Sequence, residues 1–255
     1  MVSSPQLPQL PQSPPPLFPL PPVAGDRLTF EQYQQFEQTR EEPYELFRGV
    51  LVPMPQVSSI HIRICEYLID QWRRFLTEQG SDYVVKNDMG VRTDVATSCT
   101  PDVTILSQDL WQTLQGRSGS AILDRGETPL WLAEVTSENW RNDYGRKRSE
   151  YWAIGVPEYW IVDPKRSRVS VLSNPDNLDG YDRAEFGLGE TVRSVVFPAF
   201  SLSVDELFDP PVVEQLMQAD HQARNGLIAE RDALLTERDR LAAKLRELGV
   251  DPDAL

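Results

Sequence analysis

The sequence predicts a mixed α/β (α+β) protein: a central mixed sheet flanked by helices, followed by a C-terminal amphipathic helix. Three observations carry that expectation. Helical and alternating periodicities interleave as helix, strands, helix, strands, helix, strands, helix, with no repeat in the core. Leu130 to Thr136 (LWLAEVT) is apolar on both faces, as a strand in the middle of a sheet must be. Beyond Val213 the composition shifts to Leu, Ala, Arg and Glu, and Leu227, Leu234, Leu241 and Leu248 recur every seven residues.

The chain opens with nine prolines in residues 1–25. Each lacks an N–H and fixes φ, so this arm is expected to be extended and apart from the fold. Thr29-Phe30-Glu31-Gln32 has capping-box spacing and opens a short helix. Tyr44 to Val52 reads as two strands turning near Arg48-Gly49. Ser58 or Ser59 caps a longer helix to about Glu78, with Ile60, Ile64, Leu68, Trp72 and Phe75 at helical spacing and Gly80 as the stop.

Strands are expected at Tyr83–Lys86, Gly90–Thr93 and Pro101–Leu106, then a looser stretch to Thr128 with a helical turn around Trp111. The Leu130–Thr136 strand precedes a helix from Asn142 to Ile154, which Gly155-Val156-Pro157 ends. Tyr159–Val162 and Arg168–Leu172 are strands around the Asp163-Pro164-Lys165 turn. Asp179-Gly180 marks a further hairpin, and strands continue to about Phe197. The expected division is an arm over 1–25, a domain over 26–210 and a tail helix over 211–255. Arg224, Arg231 and Arg238 occupy complementary heptad positions in the tail. Its seam is half-polar, suited either to a weak coiled coil or to docking on the domain.

Composition narrows the function classes. The 255 residues carry a formal charge of −14, which argues against non-specific coating of nucleic acid through many Lys/Arg–phosphate contacts. It leaves room for an enzyme that meets phosphate at one local site. The segment from Glu138 to Arg168 is net +2, with seven basic and five acidic residues. Two cysteines, Cys65 and Cys99, outside any C-x-x-C motif, read as reduced thiols. No apolar run is long enough to span a membrane, and the N-terminus lacks the basic start of a signal peptide. A cytoplasmic protein is the expectation.

Two carboxylates stand on apolar strands: Asp102 at the start of PDVTIL and Glu134 near the end of LWLAEVT. A carboxylate there must meet a cation, a strong donor or an opening to water. Two of them on neighbouring strands make the oxygen-rich clamp that Mg²⁺ prefers. On the following helix Trp140, Tyr144, Lys147 and Tyr151 fall on one inward face, so the Lys147 ammonium needs an anion and Glu134 is the nearest supply. Taken singly these residues have plainer readings: Asp102 as a turn residue after proline, Lys147 as a snorkelling lysine, His61 as a structural histidine and the tryptophans as core. No Walker loop, dinucleotide fingerprint or Ser-His-Asp order occurs.

The texts PDVTIL, LAEVTSENW and RKRSEYWAIGVPEYWIVDP, with YELFRGVLV and His61, resemble a bacterial family of restriction-endonuclease-like proteins in the PD-(D/E)xK nuclease superfamily. The resemblance runs from about Leu28 to Phe208 and implies a restriction-endonuclease-like core. It implies an Mg²⁺-dependent endonuclease, with Mn²⁺ as the alternative ion, that hydrolyses DNA phosphodiester bonds, acts as a homodimer and needs no small-molecule cofactor. Asp102, Glu134 and the Val135 carbonyl would bind the metal, Lys147 would orient water or offset charge, and Glu45 would complete the catalytic set. The superfamily's usual lysine position, two residues after Glu134, holds Thr136; members of the family supply the lysine from the next helix, which points to Lys147. The rival reading keeps the fold without catalysis, as a nucleic-acid-binding or assembly module.

Overall fold

The computed structural model describes residues 27–37, 43–137 and 141–248. The proline-rich arm and Trp140 lie outside them. The capping box forms reciprocally: the Thr29 N–H donates to Gln32 Oε1 at 2.8 Å and the Gln32 N–H to Thr29 Oγ1 at 3.2 Å. It opens α1 (Phe30–Glu37). Strands β1 (Tyr44–Phe47) and β2 (Val50–Pro53) pair antiparallel. Their turn holds Arg48 at φ 49° and Gly49 at φ 83°. A Cβ at Gly49 would lie 2.9 Å from Arg27 Cβ and 3.0 Å from the Leu28 carbonyl oxygen, so only glycine suits the turn. Ser58 caps α2 (Ser59–Glu78), and Gly80 follows at φ 59°.

Then come β3 (Tyr83–Lys86), β4 (Gly90–Asp94), β5 (Thr97–Cys99), β6 (Val103–Ser107), α3 (Gln108–Gln115), β7 (Ile122–Leu123) and β8 (Trp131–Val135). A π-helical segment, Asn142–Lys147, leads into α4 (Arg148–Ala153). The fold continues through β9 (Glu158–Asp163), β10 (Arg168–Ser173), β11 (Asp182–Gly187), β12 (Thr191–Arg193), β13 (Ser201–Ser203), α5 (Val204–Phe208) and α6 (Val213–Glu247).

Two larger sheets form, ordered β11-β10-β9-β8-β6-β3 and β2-β1-β5-β4-β7, beside the β12-β13 hairpin. The six-stranded sheet is mixed, because β8 and β9 run parallel while its other pairs are antiparallel. Every residue of β8 and β9 is buried, as the two-sided apolar pattern requires. One face packs on α2 and α5 through Trp72, Trp131, Trp160 and Phe200. Trp72 stacks on Phe200 with ring centroids 3.5 Å apart. The other face meets α4 and the smaller sheet through Leu132, Tyr151, Tyr159 and Ile161.

Some expectations change. The single strand expected at Pro101–Leu106 begins only at Val103, and β5 precedes it as the centre of the smaller sheet. The stretch after Ser107 holds a capped helix, α3, rather than one turn. Helix α6 is anchored at its start, where Leu216 joins the core and Arg74 pairs with Asp220. Farther along, Leu227, Leu234, Leu241 and Leu248 are 50–78% exposed, so the tail is not docked on the domain there. Among the described residues no helix is long and apolar enough to cross a membrane.

Candidate active site

Strand register brings the two carboxylates together. Val103 faces Ala133 and Thr104 faces Leu132 across the β6–β8 ladder. One step further puts Asp102 opposite Glu134, and opposite residues of an antiparallel pair share a face. Asp102 Oδ2 accepts the Val135 N–H at 2.6 Å, so its carboxylate caps the ladder where the β6 backbone ends. Its Oδ1 lies 3.2 Å from His61 Nε2. His61 stands in the first turn of α2, where its own N–H is taken by the Ser58 cap.

Glu134 is buried and directed to the helical segment that follows β8. Lys147 Nζ and the Tyr151 hydroxyl both donate to its Oε1, each at 2.8 Å. Lys147 Nζ also lies 2.8 Å from Glu45 Oε1 and 3.8 Å from Asp143 Oδ1. Glu45, on β1, is held on both oxygens. Arg146 Nη2 donates to Oε2 at 2.7 Å, and the Thr100 N–H donates to Oε1 at 3.2 Å.

The π-helical turn explains which side chains face inward. An i→i+5 closure widens the helix and resets the register of everything before it. The buried stripe is Asp143, Lys147 and Tyr151, four residues apart. Tyr144, which α-helical spacing placed on that stripe, is half-buried with its hydroxyl 3.4 Å from Asp163. The inward reading of Lys147 and Tyr151 survives, Asp143 joins the buried stripe, and Tyr144 is half-buried against the same core as Tyr151.

Glu45, Asp102, Glu134, Val135, Asp143 and Lys147 line one cleft, with His61, Thr100, Ser137 and Asn142 among its other walls. Burial pushes Asp102 up to about 7, against the lowering effect of the Val135 N–H. It pushes Glu134 up to about 8 despite Lys147, with the Asp102 and Glu45 charges adding to the rise. Asp143 also rises to about 8, through burial and then Glu134. Glu45 goes the other way: burial opposes its ionisation, but Lys147 and Arg146 outweigh it and hold its pKa low. Burial opposes the charge on Lys147 too, yet Glu134, Glu45 and Asp143 keep it well above the usual range.

This donor set fits a hard divalent cation. Four carboxylates, on Glu45, Asp102, Glu134 and Asp143, line the cleft with one ammonium, on Lys147. Burial raises the pKa of three of the acids, and the neighbouring carboxylates add to the rise. Glu45 is held by its cations and its backbone donor, which leaves Asp102, Glu134 and Asp143 as the acids able to turn an oxygen to an ion.

All five residues singled out from the sequence, Asp102, Glu134, Val135, Lys147 and Glu45, therefore meet at one place. Missed were Asp143 and Arg146 as members of the network, and the contact of His61 with Asp102. The i,i+4 pair Asp143–Lys147 was the available signal.

A family model described as "Uma2: Putative restriction endonuclease" matches residues 30–205. Among solved structures, a crystal structure titled as that of a putative nuclease belonging to DUF820 from Anabaena variabilis is similar, with a TM-score of 0.57 at 17% identity. The match covers 71% of this chain and 98% of that one, and at this identity it speaks for the fold. No curated protein matches the chain.

Proposed function

The chain belongs to the Uma2 family, and on that premise we propose that it is a metal-dependent endodeoxyribonuclease that hydrolyses DNA phosphodiester bonds with Mg²⁺, or Mn²⁺ in its place. The observation that carries this reading is the cleft whose carboxylates outnumber its cations. Such a cleft repels an anionic phosphodiester unless a cation enters with it.

Asp102 Oδ1, Glu134 Oε2 and the Val135 carbonyl would hold the ion, whose chemistry is to polarise a phosphoryl oxygen and acidify an attacking water. The chain's own groups prepare that position. Lys147 and Tyr151 both bind Glu134 Oε1, which fixes the carboxylate plane and turns its second oxygen to the cleft. The Val135 N–H and His61 hold Asp102 from two sides. Lys147 stays protonated, so it acts as a fixed positive charge beside the phosphoryl group and not as a base. Glu45 and Arg146 position that ammonium from the far side.

The exposed leucine stripe of α6 supports a homodimer, which would set two sites against two DNA strands. The test is cleavage of plasmid and single-stranded DNA with Mg²⁺ or Mn²⁺. We expect cleavage by the native chain and none by Asp102→Ala or Glu134→Ala. Activity that persists in both variants overturns the assignment. A folded native chain that binds DNA without cutting it would favour the non-catalytic module instead.

A further inference from the structure

We propose that His61, Cys65 and Asp102 form a second, thiolate-bearing metal position for a borderline divalent ion of the Zn²⁺ class, sharing Asp102 with the nuclease cleft. One ligand atom from each of the three lies within 4.8 Å of the others. His61 and Cys65 stand one turn apart on α2, with Sγ 3.8 Å from Nδ1, and Asp102 Oδ1 lies 3.2 Å from Nε2 on the same ring. Ions of this class bind S and N at about 2.0–2.3 Å, so their tetrahedral ligands sit roughly 3.3–3.8 Å apart. The two contacts fall on different ring nitrogens, of which one serves the ion, so closing the set from its present 4.8 Å limit needs the Cys65 or His61 side chain to turn.

Two independent features place the position on this side of Asp102. Glu45, on the opposite wall of the nuclease cleft, has both oxygens engaged by Lys147, Arg146 and the Thr100 N–H, so it is poorly placed to serve a second ion. His61, Cys65 and Asp102 instead line a wide groove, bordered by Met54, Val57 and Ile69, that opens beside the nuclease cleft. Three protein ligands facing an open groove leave a fourth position for water or a substrate atom. The ligand chemistry excludes Mg²⁺, which takes oxygen octahedrally, and selects ions that accept sulfur and imidazole. On binding, the Cys65 S–H bond breaks, the S–metal bond forms and one proton leaves to solvent; the imidazole binds in its neutral form.

One consequence rests on the nuclease reading: an ion at this position draws on Asp102, so Zn²⁺ and Mg²⁺ compete for one carboxylate. The decisive experiment does not need that reading. The full chain, reduced with a phosphine, is titrated with Co²⁺ and followed by absorption, then back-titrated with Zn²⁺. The expected result is a thiolate-to-cobalt charge-transfer band that saturates at one equivalent, is bleached by Zn²⁺, survives Cys99→Ser and is lost in Cys65→Ala. Cys65→Ser, checked for folding by circular dichroism, guards against a collapsed alanine variant and is also expected to lose the band. No band in the native chain at saturating Co²⁺, or a band that survives Cys65→Ala, overturns the proposal. In the activity arm, Zn²⁺ is expected to inhibit Mg²⁺-dependent cleavage at least tenfold less in Cys65→Ser than in the native chain. Failure there with the band intact would count against the shared carboxylate, and absence of all cleavage against the nuclease reading.

Discussion

Glu134 and Glu158 are both glutamates in fully buried strands that lie side by side, β8 and β9, yet they are solvated in opposite ways. Glu158 accepts from four neutral donors: Trp160 Nε1 at 2.5 Å, Ser194 Oγ at 2.7 Å, and the Val195 and Val196 N–H groups at 2.9 and 2.8 Å. Three of them come from the loop after β12, so the carboxylate ties that loop to the end of the sheet. Glu134 has its donors on one oxygen and shares one of them, Lys147, with Glu45, while other acids crowd it. Burial raises both pKa values, but the next largest effects differ: neutral hydrogen bonds oppose the rise at Glu158, and at Glu134 the Lys147 charge opposes it while Asp102 adds to it. A buried acid surrounded by donors is a structural clamp. One surrounded by other acids is waiting for a cation.

The contrast breaks most sharply on substitution. Glu134→Gln is expected to cut DNA cleavage by about 10²–10³-fold, the size of losing one preorganised electrostatic group. Its unfolding free energy should move by less than about 1 kcal/mol, because the amide oxygen still accepts from Lys147 and Tyr151 and Glu45 still neutralises the buried ammonium. Cleavage assays and urea melts on one preparation check both. Glu158→Ala should do the reverse. Stranding its donors is expected to cost about 3–4 kcal/mol in urea unfolding while the folded fraction keeps its specific activity. Equal loss of stability in the two variants would erase the distinction.

The cleft's acids also make stability depend on pH. Asp102, Glu134 and Asp143 have folded pKa values of about 7, 8 and 8, above their ordinary 3.8, 4.5 and 3.8. Between those limits the folded chain binds more protons than the unfolded one. The contribution is therefore complete below about pH 4 and lost as pH rises through about 8. Thermal melts of the metal-free protein should fall across that window. Added Mg²⁺ should raise Tm more at about pH 9 than at about pH 5.5, where protons already occupy the site. An Mg²⁺ effect independent of pH would show that the ion binds elsewhere.

The smallest effect on the folded domain is expected from the tail. Removing residues 222–255 spares Leu216 and Asp220, which hold α6 to the core. Tm should change by only a few degrees, while light scattering should show the proposed dimer falling to a monomer. A truncated chain that stays dimeric would assign the interface to the domain.

Much of the fold could be read in short windows of sequence. Thr29 and Gln32 announce α1, Ser58 and Gly80 bound α2, and seven consecutive residues from Leu130 to Thr136 announce β8 as central. What escaped has little local signal. Strand β5, Thr97-Ser98-Cys99, is three small residues that become a strand because β1 and β4 flank it. Strand β7 is two residues long and exists through its pairing with β4. The π turn at Asn142–Lys147 adds Asp143 to the stripe that α-helical spacing predicts, and its Lys147 is buried against Glu45 and Glu134, which lie outside the turn.

The candidate site divides along the same line. Asp102, Glu134 and Lys147 stood out in the sequence because an ionisable group in an apolar strand, or on an inward helical face, is costly and therefore conspicuous. No local pattern marked their partners: Glu45 and His61 entered only through the family resemblance and Cys65 only as a reduced thiol, since all three sit on elements whose approach depends on the packing of whole sheets. Local patterns could establish which charges must be compensated, because burial periodicity is a property of a few neighbouring residues. Which charges do the compensating, with Glu45 closing on Lys147 and His61 on Asp102, was settled by contacts across 102 and 41 positions of sequence, where no short-range propensity acts.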